Sequence, residues 1–394
     1  MSVTFGVDRL IGNPAILRSA TRLGLVTNDA ARLAAEPGVH TRRALLGAGL
    51  SIVRLFGPEH GIGAAAADGA AVRDATDALT GLPVVSLYGE RMRPSRASIA
   101  DLDAVLFDIP DIGARFYTYV WTLFEVLGAC AEHGVPLVVL DRPNPLGGAL
   151  AQVEGPVLDL SYASFIGGDA IPIRHSLTLG ELARLWQVER YPNASLTVVE
   201  CAGWRRGQLW PDTGLPFVPT SPSMPSFSSA LLYPGVCLFE ATNLSVGRGT
   251  AMPFQRIGAP WLETGAVLER LSRTTPRGVR FVADSFTPAI GVYAGEDVPG
   301  IRIEITDGRV LRPVAMGLLL LASIIATHRL RVAWSKYPTA ANPSGDGHFE
   351  RLFGQGGVRA RLDTSPDTVD GAQVSEWTRA AGWTERVGAA LLYD

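Results

Sequence analysis

A carboxylate and an imidazole, Glu59 and His60, follow directly on an apolar run, Ser51-Ile52-Val53-Arg54-Leu55-Phe56, that stops at Gly57-Pro58. A Glu at the end of a buried strand is partly withdrawn from water, which moves a carboxyl group toward the proton affinity of a general acid. The bland reading of the same residue is a loop carboxylate that caps the next helix. His60 can bind a ligand, orient Glu59, or simply be a satisfied histidine. Two more apolar runs end in the same way. Ala104-Val105-Leu106-Phe107 leads into Asp108 and Asp111 and then into Arg115, Tyr117 and Tyr119. Pro136-Leu137-Val138-Val139-Leu140 leads into Asp141-Arg142-Pro143-Asn144-Pro145. Asp108 and Asp111 bracket Pro110. Paired carboxylates serve as acid and base or as metal ligands, or else they bond loop amides and hold Arg115. Arg115 can clamp a substrate carboxylate through two parallel hydrogen bonds. Tyr117 and Tyr119 share a face if the chain is extended and diverge if it is helical. Asp141 to Pro145 reads as a rigid turn, with Asn144 as a secondary candidate for a sugar hydroxyl. Farther along the chain, Glu240, Asn243 and Arg248 form a polar cluster suited to closing a site from the opposite side.

These residues need a frame that delivers strand ends to one place. Leu23 to Thr27 reads as a first buried strand, with Asn28 at its end, and the Ala-, Leu- and Arg-rich segment from Ala30 to Leu50 as a crossover helix. Strands follow at 51–56, 82–89, 104–108, 135–140 and 196–200. A helix over 119–133 is expected to end at Gly134, and another is expected from Leu179, capped by Thr178 with Glu181 three residues on. Strands alternating with helices argue for a doubly wound parallel sheet, whose ligands bind beyond the carboxyl ends of the strands. The expected fold is therefore α/β: a Rossmann-like catalytic domain over 1–190 and a smaller mixed α+β domain over 191–394 that closes the cleft. Gly61 to Gly69 reads as a mobile loop over the strand ends. The Pro-rich stretch 211–235 reads as an ordered loop or arm without regular structure.

Composition narrows the function. The 394 residues are 47% hydrophobic and 19% charged, with a formal net charge of −3. That gives no basic footprint for nucleic acid and no attraction to a membrane surface. The three cysteines, Cys130, Cys201 and Cys237, lack metal spacing and read as buried thiols of a reducing compartment. The first residues have no basic stretch followed by an apolar one, so a cytoplasmic location is expected. The run from Met316 to Ala326 is too short to cross a bilayer and reads as a buried helix. No Gly-rich phosphate cradle, G-x-S-x-G or H-E-x-x-H is present, which disfavours nucleotide handling, serine hydrolysis and zinc hydrolysis.

The ordered blocks FGPEHGIG, GLPVVSLYG, FDIPDIGARFYTY, LDRPNPLGG, RHSLTLGELA, YPGVCLFEATNLSVGRGT and PFQRIGAPW resemble the exo-β-N-acetylmuramidase (NamZ-type) glycoside hydrolases from about residue 23 to about residue 320. The resemblance implies removal of N-acetylmuramic acid from the non-reducing end of peptidoglycan fragments, in a cleft between two domains, with no metal or organic cofactor. It places the family's principal glutamate on Glu59, and the R-F-Y-T-Y block on Arg115 to Tyr119. The D-R-P-N-P block falls on Asp141 to Pro145, the R-H-G block on Arg174-His175-Ser176 with His175 as a substrate ligand, and the E-x-T-N block on Glu240 to Asn243. The chain departs from the pattern after P-E-H-G, where Gly63 and a run of alanines replace a basic residue and an acidic loop. It departs again at Ser223, which replaces an Asn, and over the last ~70 residues. Arg115 or Arg248 would bind the lactyl carboxylate. The second catalytic group is open among Glu240, Asp111 and Tyr117, and assistance by the N-acetyl group is open as well. The alternative to turnover is a two-domain sugar-binding module.

Overall fold

A computed structural model describes residues 2–17, 20–274 and 276–394. Seven strands, β1 (Leu23–Thr27), β2 (Ile52–Gly57), β3 (Ala75–Thr76), β4 (Pro83–Ser86), β5 (Ala104–Asp108), β6 (Leu137–Leu140) and β7 (Leu196–Val199), form one sheet in the order β3-β4-β2-β1-β5-β6-β7. All pairings are parallel except that of the two-residue edge strand β3. β1, β5 and β6 are buried at every position, as a parallel sheet covered on both faces requires. Their side chains divide by period two. Leu23, Leu25, Leu55, Leu106, Val138 and Leu140 join one core with Phe5, Val7 and Leu45. Val26, Phe56, Val105, Phe107, Leu137 and Val139 join the other, which runs on without a break into the second half of the chain. β7 belongs to this sheet although it lies beyond residue 190, where the sequence pattern changes.

Helix Tyr119–His133 stops at Gly134, whose φ of 68° ends it in the left-handed region as expected. Helix Leu179–Glu189 starts in a complete capping box between Thr178 and Glu181. Two expectations need correction. Between Ala30 and Leu50 only Thr41–Gly47 is helical. Pro37-Gly38 interrupts the pattern, and the Arg32 guanidinium holds the turn through the carbonyls of Asp29 and Gly38 at 2.6 and 3.0 Å. Conversely, Phe227–Val236 is a helix despite Pro234. Ser226 caps it, and its apolar residues are buried in the core that it shares with helix Pro313–Thr327, so burial outweighs the donor lost at Pro234. The latter helix is almost entirely buried, and among the described residues no helix is long and apolar enough to cross a membrane.

The second half adds a three-stranded antiparallel sheet, β8 (Arg256–Gly258), β9 (Val279–Phe286) and β10 (Val298–Ile305), in the order β8-β10-β9. Helices Phe227–Val236 and Pro313–Thr327 cross backbone to backbone: a Cβ at Gly235 would lie 1.8 Å from the Pro313 carbonyl oxygen. Backbone atoms cannot step aside as a side chain does. Gly235→Ala is expected to cost roughly 3 kcal/mol in urea unfolding. A change within about 0.5 kcal/mol would contradict the close crossing.

Candidate active site

A cleft of about 820 Å³, open solvent at its mouth included, lies between the β2 and β4 ends of the large sheet and the second half of the chain. Glu59, two residues past β2, faces it, with Thr118 donating its hydroxyl to Oε2 at 2.6 Å and the Gly69 N–H donating to Oε1 at 2.7 Å. Tyr88, just past β4, lies beside Glu59, and burial together with the Glu59 charge raises the Tyr88 phenol far above its usual range. Glu59 is thus held in one rotamer by donors from two segments. His60 takes a φ of 65°, a left-handed conformation unusual outside glycine. Its carbonyl accepts the N–H groups of Ala65 and Ala66 at 3.1 Å, and its Nδ1–H donates to the Ala66 carbonyl at 2.7 Å. The strained turn folds the 61–69 loop back on itself. Ile62 and Gly69 then anchor it through Asp29 N–H and Ala340 N–H, at 2.7 and 2.8 Å. The loop expected to be mobile is pinned at both ends.

From the other side come Glu240 and Arg248. The Arg248 guanidinium donates from Nε to Glu240 Oε1 at 2.5 Å and from Nη1 to Asp68, and it sits 5.0 Å above the Phe254 ring. Burial opposes its charge, but the Glu240 and Asp68 carboxylates more than reverse this and hold its pKa well above the ordinary value. The Glu240 charge, with burial, raises the Tyr337 phenol, so this ring stays a hydrogen-bond donor. Tyr117 faces the cleft with its hydroxyl 2.6 Å from Thr220 Oγ1, and burial raises its phenol as well. The cleft therefore presents carboxylates, the guanidinium groups of Arg248 and Arg351, and protonated phenols to whatever enters it.

Of the residues singled out from sequence, Glu59, His60, Tyr117, Glu240 and Arg248 meet in this cleft. The others do not line it. Arg115 is fully buried and its guanidinium donates to the carbonyls of Pro156, Ile171 and Leu352 at 3.1, 3.1 and 2.6 Å. Asp108 is consumed by Arg142, through Nε at 2.6 Å and Nη2 at 2.9 Å. Asp111 accepts from Gly113 N–H at 2.7 Å and lies 3.7 Å from His175, which is itself fully buried, so neither reaches a substrate. Asn144 bridges Leu177 O and Leu146 N–H. Asn28 caps the turn at Ala30, and Tyr119, packed against Tyr117, donates to the Thr220 carbonyl. Asn243 pairs with the backbone of Arg331 and Ala333. Strand-end position marks most of these, and the contacts they make are with the scaffold, although Asn28 Nδ2, Asp111 Oδ1, Arg115 Nε and His175 Nε2 are buried without a partner.

The sequence reading missed Asp68, Tyr88, Thr118, Tyr233 and Tyr337 as cleft residues. Tyr88, Thr118 and Tyr233 stand inside quoted blocks, where a search for polar groups near Glu59 would have found them. Asp68 is the one acid of an alanine-rich loop, and Tyr337 lies in the last ~70 residues, where the quoted pattern matches poorly. Among the described residues no three His, Cys, Asp or Glu side chains converge as a metal ion would require.

Two family models together match most of the chain: Exo-beta-N-acetylmuramidase NamZ, N-terminal, over residues 23–228, and its C-terminal counterpart over 231–393. The chain is 38% identical over 367 residues to the peptidoglycan beta-N-acetylmuramidase NamZ of Bacillus subtilis strain 168, covering 92% of this chain and 84% of the relative. A DUF1343 family protein of Bacteroides fragilis NCTC 9343 has the same fold, with a TM-score of 0.87 and 30% identity over the full length of both chains. A second DUF1343 protein of that organism gives a TM-score of 0.74 at 26% identity, over all of this chain and 99% of the other.

Arg115 ties the first half of the chain to the Leu352 wall of the cleft. Arg115→Ala would leave the buried carbonyls of Pro156 and Leu352 unpaired and strip Ile171 of one of its two donors, with an expected loss of about 3 kcal/mol or more in urea unfolding, of which Arg115→Lys recovers only part. A lysine variant as stable as the parent would refute the carbonyl-clamp role.

Proposed function

The chain belongs to the NamZ family of exo-β-N-acetylmuramidases, and from that premise we propose that it releases N-acetylmuramic acid from the non-reducing end of peptidoglycan fragments, with Glu59 as the principal acid/base. It is a glycoside hydrolase, which sets the sugar-binding module aside. The observation that carries the finer reading is the placement of Glu59 and of Arg248 with Glu240 on opposing walls of one cleft. Muramic acid differs from glucosamine by a lactyl ether that ends in a carboxylate. Arg248, anchored by Glu240 on the wall opposite Glu59, is a guanidinium of the cleft that offers charge-assisted hydrogen bonds to that group.

With the lactyl group on Arg248, Glu59 exchanges a proton at the glycosidic oxygen or at water. Thr118 and Gly69 hold its oxygens, so no rotamer search intervenes between binding and proton transfer. Glu240 is the second carboxyl group of the cleft and shares the role of charge stabilisation with the phenol of Tyr117, across a site from which the aromatic rings of Tyr88, Phe116, Tyr233 and Phe254 exclude water. The substrate is a small saccharide or muropeptide.

Glu59→Gln keeps the shape and the acceptor for Thr118 but cannot shuttle the proton. It is expected to lower kcat by about 1,000-fold or more on muropeptides while N-acetylmuramic acid binds, by calorimetry, within about threefold of the parent. Full activity of the variant would remove Glu59 from the role.

A further inference from the structure

Arg248 is doubly occupied in the free protein. Glu240 takes Nε and Asp68 takes Nη1, so the guanidinium that the proposed function assigns to the lactyl carboxylate is already neutralised. A third carboxylate cannot join them without strong like-charge repulsion in a site of low polarity. One of the two must leave. Glu240 is 7% exposed, belongs to the same half of the chain as Arg248, and accepts the Cys237 thiol at 3.3 Å. Asp68 is 27% exposed and comes from the opposite wall, on the alanine-rich loop, with His60 Nε2 at 3.7 Å as a further neighbour. Gly69, next in the chain, is fixed by Ala340 N–H and by Glu59, at 2.8 and 2.7 Å, so the backbone stays while the Asp68 side chain rotates.

We propose that Asp68 is a resident stand-in for the substrate carboxylate: it occupies Arg248 until the lactyl group displaces it. This rests on the reading of Arg248 given above. It makes Asp68 an internal competitor for the substrate's anion, because only a sugar with its own carboxylate compensates Arg248 for the lost partner. A neutral sugar leaves the Asp68–Arg248 bridge across the cleft in place.

The test is Asp68→Asn, with Asp68→Ala beside it so that no outcome depends on the new amide. Calorimetric titrations with N-acetylmuramic acid and N-acetylglucosamine are run on the parent and both variants, together with KM and kcat on 4-nitrophenyl N-acetyl-β-muramide. The muramic acid is expected to bind about fivefold or more tighter to both variants, and KM to fall in step, while the glucosamine changes by less than about twofold. Unchanged or weakened binding of the muramic acid would overturn displacement, as would an equal shift for both sugars. A fall in kcat of about 100-fold or more would make Asp68 a proton-transfer group instead. A parent enzyme that does not prefer muramic acid to glucosamine would remove the Arg248 reading itself, whereas preference in the parent without a response in the variants removes only the role of Asp68.

Discussion

Parallel pairing leaves a chain little choice about where its strands end. Once β4, β2, β1, β5 and β6 are paired in one direction, Ser86, Gly57, Thr27, Asp108 and Leu140 all arrive at the same edge, and every loop that follows them emerges there. The polar residues that emerge compete for a limited number of partners. Near the middle of the sheet they satisfy one another: Arg142 with Asp108, and Thr178 and Tyr393 with Asp141 at 2.6 Å each. Burial nevertheless raises Asp141 to a pKa of about 6. At the β2 and β4 end the loops meet the second half of the chain instead, and the space left between them is the cleft.

The second half contributes the charge that the first lacks. Holding a guanidinium in so buried a place is unfavourable unless carboxylates surround it, and truncating either partner of such a pair strands the other. Glu240 supplies a permanent partner from the same wall and Asp68 a conditional one from the opposite wall. The two walls of the cleft are in this way tied through one guanidinium, the group proposed to bind the lactyl carboxylate.

Much of this frame was legible in the sequence. Continuous apolar runs marked β1, β2, β5 and β6, Gly134 marked the end of one helix, and the Thr178–Glu181 spacing marked the start of another. The helix through Pro234 was hidden because local propensity opposes it and only tertiary burial rewards it. For the site, Glu59 stood out because Gly-Pro ends its strand abruptly. Arg115 and Asp108 carried the same strand-end signature, yet their side chains turn to carbonyls and to Arg142, a choice set by neighbours 34 to 237 residues away. Asp68 left no signal at all, since its partner lies 180 residues on and on the other wall.

The central claim is that a guanidinium reads the lactyl carboxylate while Glu59 moves the proton. Release of nitrophenol from 4-nitrophenyl N-acetyl-β-muramide, run in parallel with the matching N-acetylglucosaminide, tests it most directly. The account requires turnover of the muramide, with kcat/KM for the glucosaminide lower by about 100-fold or more, the worth of charge-assisted hydrogen bonds in a buried site. Equal turnover of the two, or preference for the glucosaminide, would contradict it.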